Sequence, residues 1–205
     1  MRDDVLLYEE TGSIGRLTLN APPRNEMDVN FFNRFTAMRR SLFPGLKLKG
    51  LIVRGAGRHF SSGANVEELG ALLSGRDGHR GEEFLLENVE SFLALEQMPF
   101  PSVAAVSGCC FGVGLELALA CRYRIAAPRA VFSCPEATFG LMPGCGGTIR
   151  LQKLVGPARA AEIILSGRMI LAEEARELGL IDLIVDRSEL LKSAEALVMK
   201  LGPRL

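Results

Sequence analysis

The chain has 205 residues, 48% of them hydrophobic, and its 24 basic and 24 acidic side chains cancel to a formal net charge of zero. This length is enough for one sizeable core, so we expect a single domain over residues 1–205. Because phosphate binding needs concentrated Lys and Arg, the balanced charge argues against nucleic acid as a main partner. The apolar runs are too short to cross a bilayer and no secretory signal pattern follows Met1, so we expect a cytoplasmic protein without a membrane partner.

The cysteines are odd in number and all lie in the apolar middle third of the chain: Cys109, Cys110, Cys121, Cys134 and Cys145. This usage predicts reduced thiols in a reducing compartment. No CxxC pair occurs, and His59 and His79 are the only histidines that could join them. The sequence therefore predicts no metal site.

The first half of the chain alternates between strand and helix patterns. Strands are predicted at 5–9, 14–20 and 51–54, with a helix after Asp28 and a short helix after Asn65. Thr11-Gly12-Ser13 is typical of a hairpin turn. Asp28 and Asn65 are residue types that favour the first, capping position of a helix.

Residues 74–81 form the most polar stretch, which we interpret as a mobile surface loop inside one domain. A helix is predicted from about Glu82 to Gln97, with apolar residues on one face, and Pro99 and Pro101 end it. Beyond it, strands are predicted at 103–106, 122–126, 130–133 and 181–185, and helices at 115–121, 148–154, 158–166, 172–178 and 188–201. Alternating strands and helices predict the α/β class, with a core over about 1–187 and a short C-terminal helix at 188–201.

The stretch from Pro101 to Thr148 contains two acids in apolar surroundings. Glu116 lies in an almost wholly apolar helical run that follows a turn spaced by glycines, and Glu136 follows Pro135. A carboxylate is costly to bury unless it has a partner or a task. Two such carboxylates can be driven to different pKa values and can serve as an acid and a base.

Three motifs in this order carry a family resemblance: His59-Phe-Ser-Ser-Gly-Ala-Asn, Gly108-Cys-Cys-Phe-Gly-Val-Gly-Leu-Glu and Cys134-Pro-Glu-Ala-Thr-Phe-Gly. Together they resemble the crotonase (enoyl-CoA hydratase/isomerase) family, from about Gly15 to about Leu191. The resemblance implies a crotonase-like spiral of stacked ββα units, with a shortened C-terminal helical region. It also implies a homo-oligomer, either a trimer or a dimer of trimers.

Two backbone amides, of Ala64 and Val113, are candidates for an oxyanion hole. Each follows a glycine and precedes a predicted helix, where free N–H groups point outward and can hold a thioester oxygen that becomes an enolate. Val113 stands where the family has glycine. Either the N–H suffices and the hole survives, or the isopropyl group narrows the site or tilts the peptide.

The segment Arg24-Asn25-Glu26-Met27 resembles one that lies near CoA in the family, but Glu26 replaces an alanine there and adds a negative charge. Asn65 stands where the family often has Asp. The predicted substrate-binding residues are Arg24, Glu26, Met27, Ser62, Ala64, Asn65, Val66, Phe111, Gly112, Val113, Pro135 and Gly144. CoA would be part of the substrate, and no separate cofactor is expected. The run Gly144 to Thr148 lacks the Lys of a phosphate loop and predicts a tight turn lining the acyl pocket.

The resemblance implies that Glu116 and Glu136 hold one water molecule between them, with Glu116 as base and Glu136 as proton donor. The predicted activity is reversible hydration of a 2-enoyl-CoA to a 3-hydroxyacyl-CoA. One alternative is isomerisation, decarboxylation or dehydration at the same oxyanion hole. Another is a non-catalytic acyl-CoA-binding or assembly subunit, suggested by Glu26, Val113 and the short C-terminal region.

Overall fold

A mixed sheet lies at the centre of the computed structural model, which describes residues 5–74 and 78–201. The strands are β1 (Leu6–Thr11), β2 (Ile14–Leu19), β3 (Gly50–Gly55), β4 (Ser102–Val106), β5 (Cys109–Phe111), β6 (Tyr123–Ala126), β7 (Val131–Ser133), β8 (Ile170–Leu171) and β9 (Leu183–Ile184). The helices are α1 (Val29–Ser41), α2 (Val66–Ser74), α3 (Gly78–Glu96), α4 (Val113–Ala120), α5 (Gly147–Val155), α6 (Pro157–Ser166), α7 (Ala172–Glu177) and α8 (Leu190–Leu201).

The larger sheet has the order β1-β2-β3-β4-β6-β9, and a smaller sheet has the order β5-β7-β8. The predicted hairpin is confirmed, because β1 pairs antiparallel with β2. From β2 onward, every neighbour in the larger sheet is parallel. The carboxyl ends of β3, β4, β6 and β9 therefore meet at one edge of the sheet.

Helices cover both faces of this sheet, which explains why β3 and β4 are almost continuously apolar. Alternate residues of β3 enter different clusters: Leu51 and Val53 join the main core, whereas Ile52 faces α8. Gly50 lets α8 approach closely, since a Cβ there would lie 2.4 Å from Cβ of Val198. The C-terminal helix α8 thus packs directly against one face of the sheet.

Helix starts agree with the predicted caps, whereas some boundaries differ. The Asp28 carboxylate accepts the Phe31 amide at 2.8 Å, and the Asn65 side chain accepts the Glu68 amide at 3.0 Å. The predicted loop 74–81 is wrong where it is described, because α2 includes Ser74 and α3 starts at Gly78 instead of Glu82. A polar helical turn has no apolar period that could reveal it. The remaining loop residues, 75–77, lie outside the described residues.

Short elements were missed by the sequence analysis. Strand β5 lies within the segment interpreted as a glycine turn, and 3-10 turns occupy Pro135–Phe139 and Arg187–Glu189. The last turn delays the start of α8 to Leu190 instead of residue 188. Runs of three to five residues are too short for a sequence period to show.

Candidate active site

The two glycine motifs lie side by side. Phe111 donates its amide to the carbonyl of Ser61 at 3.1 Å, and Ser61 donates to the carbonyl of Cys109 at 3.0 Å. A Cβ on Gly63 would lie 3.0 Å from the carbonyl oxygen of Phe111, and Gly63 has a φ of +100° that favours glycine. The loop before α2 and the turn before α4 are therefore in direct contact.

The amides that follow these glycines have no acceptor within the part of the chain that the structure describes. Asn65 and Gly112 donate backbone hydrogen bonds to Met27 and Ser133, at 2.9 and 3.0 Å. Between residues 5–74 and 78–201, neither Ala64 nor Val113 uses its amide as a donor. Val113 is the first residue of α4 and its side chain is buried in the main core, so a valine fits here and leaves the N–H of the peptide unused.

Glu116 is held by the loop that precedes α5. Its Oε1 accepts the amides of Cys145 and Gly147 at 2.8 and 2.7 Å, and the residue is only 2% exposed. A Cβ on Gly147 would lie 2.8 Å from this same oxygen, so the loop needs a glycine there. The other oxygen, Oε2, accepts no hydrogen bond within the described part of the chain.

Burial raises the pKa of Glu116 to about 7. The Gly147 amide opposes this rise, the Glu136 carboxylate adds to it, and the Cys145 amide and Arg150 oppose it. The contribution of Glu136 agrees with two carboxyl groups that lie near one another. A carboxyl group whose pKa is near 7 can accept and release a proton at neutral pH.

Glu136 is positioned by the 3-10 turn after β7 and is half-buried. Its Oε2 is buried and has no hydrogen-bond partner within residues 5–74 and 78–201, and burial raises the pKa of the carboxyl group. Gly112 separates the two acids: a Cβ there would lie 3.0 Å from Glu136 Oε1, while its carbonyl accepts the Glu116 amide at 3.0 Å. Buried carboxylate oxygens normally have a hydrogen-bond partner, so this oxygen makes Glu136 a candidate functional residue.

Arg150 anchors the loop that holds Glu116. It donates through Nε to Glu96 at 2.8 Å and through Nη1 to the carbonyl of Cys145 at 2.5 Å, and its side chain is 8% exposed. Cys145 thus accepts from Arg150 and donates to Glu116. The guanidinium fixes the peptide that orients the Glu116 carboxylate.

A cavity of about 710 Å³ adjoins the Ala64 loop and is lined by several predicted CoA residues, including Arg24, Glu26 and Asn65. Arg24 and Glu26 form an ion pair at 3.5 Å, which balances the unexpected acid. The backbone amide of Ser62 donates to the carbonyl of Arg24 at 2.9 Å. A backbone hydrogen bond therefore joins the segment that begins at Arg24 to the loop before α2.

The other predicted binding residues lie at various depths. Met27 is 1% exposed and belongs to the main core, so its backbone alone is near the loop, whereas Val66 is 45% exposed. Phe111 and Pro135 are half-buried, and Gly144 is exposed next to α3.

Sequence reasoning missed several residues that shape the site. Ser61 Oγ donates to the carbonyl of Asn25 at 2.7 Å and accepts from Gly63 at 3.1 Å, which sets the loop before Ala64. The Asn25 side chain donates to the carbonyl of His59 at 2.7 Å. The amides of Cys145 and Gly147 were also missed, although the glycine-rich run before a helix is a signal for free N–H groups.

Neither a metal cluster nor a membrane-spanning helix was found in the described ranges. No group of three or more His, Cys, Asp or Glu side chains within 5–74 and 78–201 could hold a metal ion. No helix in these ranges is long and apolar enough to span a bilayer. The cytoplasmic location stays a prediction.

The sequence model of the enoyl-CoA hydratase/isomerase family matches residues 9–203. The chain belongs to this enzyme family. A Bacillus subtilis (strain 168) relative named "Probable enoyl-CoA hydratase" is 36% identical over 193 residues, which cover 92% of this chain and 72% of the relative. A Brassica napus glyoxysomal fatty acid beta-oxidation multifunctional protein is 35% identical over 188 residues, which cover 92% of this chain and 26% of that protein.

Solved structures of similar proteins confirm the predicted crotonase fold. DspI from Pseudomonas aeruginosa has a TM-score of 0.86 at 34% identity, over 96% of this chain and 74% of its own. A Thermobifida fusca YX protein in complex with acetoacetyl-CoA has a TM-score of 0.88 at 31% identity, over 97% of this chain and 80% of its own. The family and the fold class predicted from the three motifs are thereby confirmed.

Proposed function

We propose that this protein catalyses the reversible syn addition of water to a 2-enoyl-CoA, giving a 3-hydroxyacyl-CoA. One observation carries the proposal: Glu136 has a buried, unpaired Oε2 beside a buried Glu116 that keeps its own Oε2 free. Two neighbouring acids, each with a free carboxyl oxygen, form a site for a single water molecule between a base and an acid.

The two acids differ in a way that assigns their roles. Glu116 ionises near pH 7 and the amides of Cys145 and Gly147 stabilise its charged form, so we assign Glu116 as the base. Glu136 lacks such donors on Oε2 and burial raises the pKa of its carboxyl group, so we assign Glu136 as the proton donor. Water oxygen bonds to C3 of the enoyl group while its proton passes to Glu116, and the proton of Glu136 passes to C2. Proton exchange then restores Glu116 as the anion and Glu136 as the acid.

The free amides of Ala64 and Val113 complete the proposed site. During attack at C3, negative charge develops on the thioester oxygen, and two backbone N–H groups aimed at one point stabilise it. Their location on adjacent loops, with no donor role inside the described chain, supports an oxyanion hole.

The cavity beside Ala64 is the proposed place for the CoA part of the substrate. The acetoacetyl-CoA complex of the Thermobifida fusca protein, which shares the fold, supports this assignment. Glu26, Asp28 and Glu68 line the cavity, whereas Arg24 is exposed at 66% of its side chain. We place the uncharged parts of CoA inside and its phosphates towards Arg24 and solvent.

The test supplies crotonyl-CoA and longer 2-enoyl-CoA esters and follows the loss of the conjugated thioester absorbance. Wild type should give a product heavier by one water, and Glu136→Gln should lose this activity. Glu67→Gln, an exposed acid on α2, is the matched control and should behave as wild type. Equal activity of Glu136→Gln on every active substrate would remove Glu136 from the mechanism.

Double-bond isomerisation is the second candidate, because the same amides would stabilise a dienolate and a single carboxyl group can move the proton. It is favoured by the position of Glu136, which alone of the two acids has a buried oxygen without a partner in the described chain. A product of unchanged mass from a 3-enoyl-CoA, without any hydrated product, would select it.

We also propose assembly with further copies of this chain through an exposed apolar face. The face is formed by Phe139, Leu141, Met142, Ile149, Leu165, Met169 and Leu171, each at least 50% exposed. Contiguous apolar surface of this kind marks interaction sites. Light scattering should show an oligomer that Leu165→Glu dissociates, while Leu86→Glu, on α3, leaves it intact; a wild-type monomer would contradict the proposal.

A further inference from the structure

A second cavity, of about 560 Å³, lies at the carboxyl ends of the parallel strands and shares no lining residue with the CoA cavity. Its walls come from the segments that follow β3, β4, β6 and β9. Arg58 follows β3, Arg129 follows β6 and Arg187 follows β9, all reaching the same opening. In parallel sheets, ligands bind in crevices outside the carboxyl ends of the strands.

The positive charge of this cavity comes from its three arginines. None of them forms a salt bridge with an acid among residues 5–74 and 78–201, whereas arginines elsewhere, such as Arg39 and Arg168, do. Asp186 is the one acid in the cavity lining. The opening therefore carries an excess of positive charge in a chain whose formal net charge is zero.

Hydrogen bonds hold the segments that carry the three arginines. Arg187 donates through Nη2 to the carbonyl of Gly57 at 2.9 Å, and Ser107 Oγ donates to the carbonyl of Arg58 at 3.1 Å. The turn that bears Arg129 is closed by the bond from the Ala130 amide to the Ala127 carbonyl at 2.9 Å. These bonds fix the guanidinium of Arg187 and the backbone that carries Arg58 and Arg129 at the ends of the strands.

His59 adds a neutral donor to the same wall. Its Nδ1 accepts the Cys109 amide at 3.0 Å, so the proton of the neutral ring is on Nε2. Burial, followed by the charges of Arg58 and Arg187, lowers the pKa of His59 and favours this neutral form. Guanidinium groups and N–H donors around one opening suit the oxygens of a phosphate group.

From this cavity we infer a second ligand site, separate from the acyl-CoA site, that binds a small phosphorylated anion between Arg58, Arg129 and Arg187. The inference is independent of the reaction proposed above. It predicts binding of inorganic pyrophosphate, the simplest probe with two adjacent phosphates, at one equivalent per chain.

Isothermal titration with inorganic pyrophosphate at low salt tests the site. The triple variant Arg58→Gln/Arg129→Gln/Arg187→Gln should raise the Kd by at least about 10-fold, since charge-assisted bonds supply the affinity. Arg34→Gln, an exposed arginine on α1 outside both cavities, should leave the Kd unchanged. Absence of binding, or equal losses in the triple and Arg34 variants, would overturn the inference.

Two further experiments test the pyrophosphate site in the wild-type protein. Pyrophosphate should protect Arg58, Arg129 and Arg187, but not Arg34, from modification by phenylglyoxal, as read by peptide mass spectrometry; uniform protection would refute the site. The titration repeated with saturating CoA should give the same Kd. Displacement by CoA would mean that the arginines hold the phosphates of CoA, and the inference of a separate site would be wrong.

Discussion

The two acids of the candidate site lie in contrasting environments. Glu116 is on a buried helix and has two amide donors on one oxygen, which is typical of a carboxylate that also supports the structure. Glu136 is on a half-buried 3-10 turn and has a buried oxygen without a partner in the described chain. The contrast separates an acid whose oxygen is bonded to the fold from an acid whose buried oxygen has no partner in the described chain.

The largest expected effect is on turnover. Glu116→Gln and Glu136→Gln should each lower kcat by about 10²–10⁴-fold, because each removes one proton-transfer group from the transition state. The double variant should be little worse than either single one, since the two groups act as a unit. Steady-state kinetics on the best enoyl-CoA substrate measure this. Fully multiplicative losses would contradict the shared water.

Stability should separate the same two residues. Glu116→Ala leaves the Cys145 and Gly147 amides buried without an acceptor, and we expect a loss of about 2–4 kcal/mol in the free energy of unfolding. Glu136→Ala removes an unpaired buried oxygen and should stay within about 0.5 kcal/mol of wild type or exceed it. Urea unfolding measures both. Equal losses would show that the two acids have similar structural roles.

The pH dependence of stability isolates Glu116. Its pKa is about 7 in the folded chain, against an ordinary value of 4.5, so the folded state binds the proton more tightly. This contribution to stability is fully present below the ordinary pKa and is lost as the pH rises through 7. Relative to Glu116→Gln, the free energy of unfolding of wild type should fall by about 3 kcal/mol as the pH rises through this range. A parallel pH profile for both proteins would be evidence against the raised pKa.

The smallest expected effect comes from Gly112, whose φ of +52° favours glycine. Gly112→Ala should lower stability by about 1 kcal/mol through this strain. The new Cβ would lie 3.0 Å from Glu136 Oε1 and should reduce kcat by roughly 10-fold through displacement of that acid. Gly12→Ala, at a φ of +62° with open space around it, is the matched control with strain alone. The same kcat in both variants would exclude a role of Gly112 in the placement of Glu136.

The sequence identified both acids because each is a charged residue in an apolar context, where charge needs a reason. Glycine spacing likewise indicated the turns before α2 and α4, since Gly63 and Gly112 both have positive φ. The α/β class followed from the alternation of strand and helix patterns, and the motifs added the crotonase fold.

The partner of the Glu116 carboxylate could not be predicted. The glycine-rich run before α5 indicates free N–H groups, but the sequence does not show that the amides of Cys145 and Gly147 reach an acid about 30 residues away. The structural role of Arg150 could not be predicted either, because it depends on a long-range ion pair with Glu96. The arginine-lined cavity could not be predicted from the sequence either. Arg58, Arg129 and Arg187 are distant in sequence, and the ends of the parallel strands bring them together only after folding.

Labelled water provides the most direct test of the paired acids. Wild type and Glu136→Gln are supplied with crotonyl-CoA in ¹⁸O-enriched water, and the products are analysed by mass spectrometry. Wild type should form 3-hydroxybutyryl-CoA with one labelled oxygen, and Glu136→Gln should form almost none. Labelled product in equal amounts from both proteins, or an unlabelled product of unchanged mass from wild type, would contradict the account.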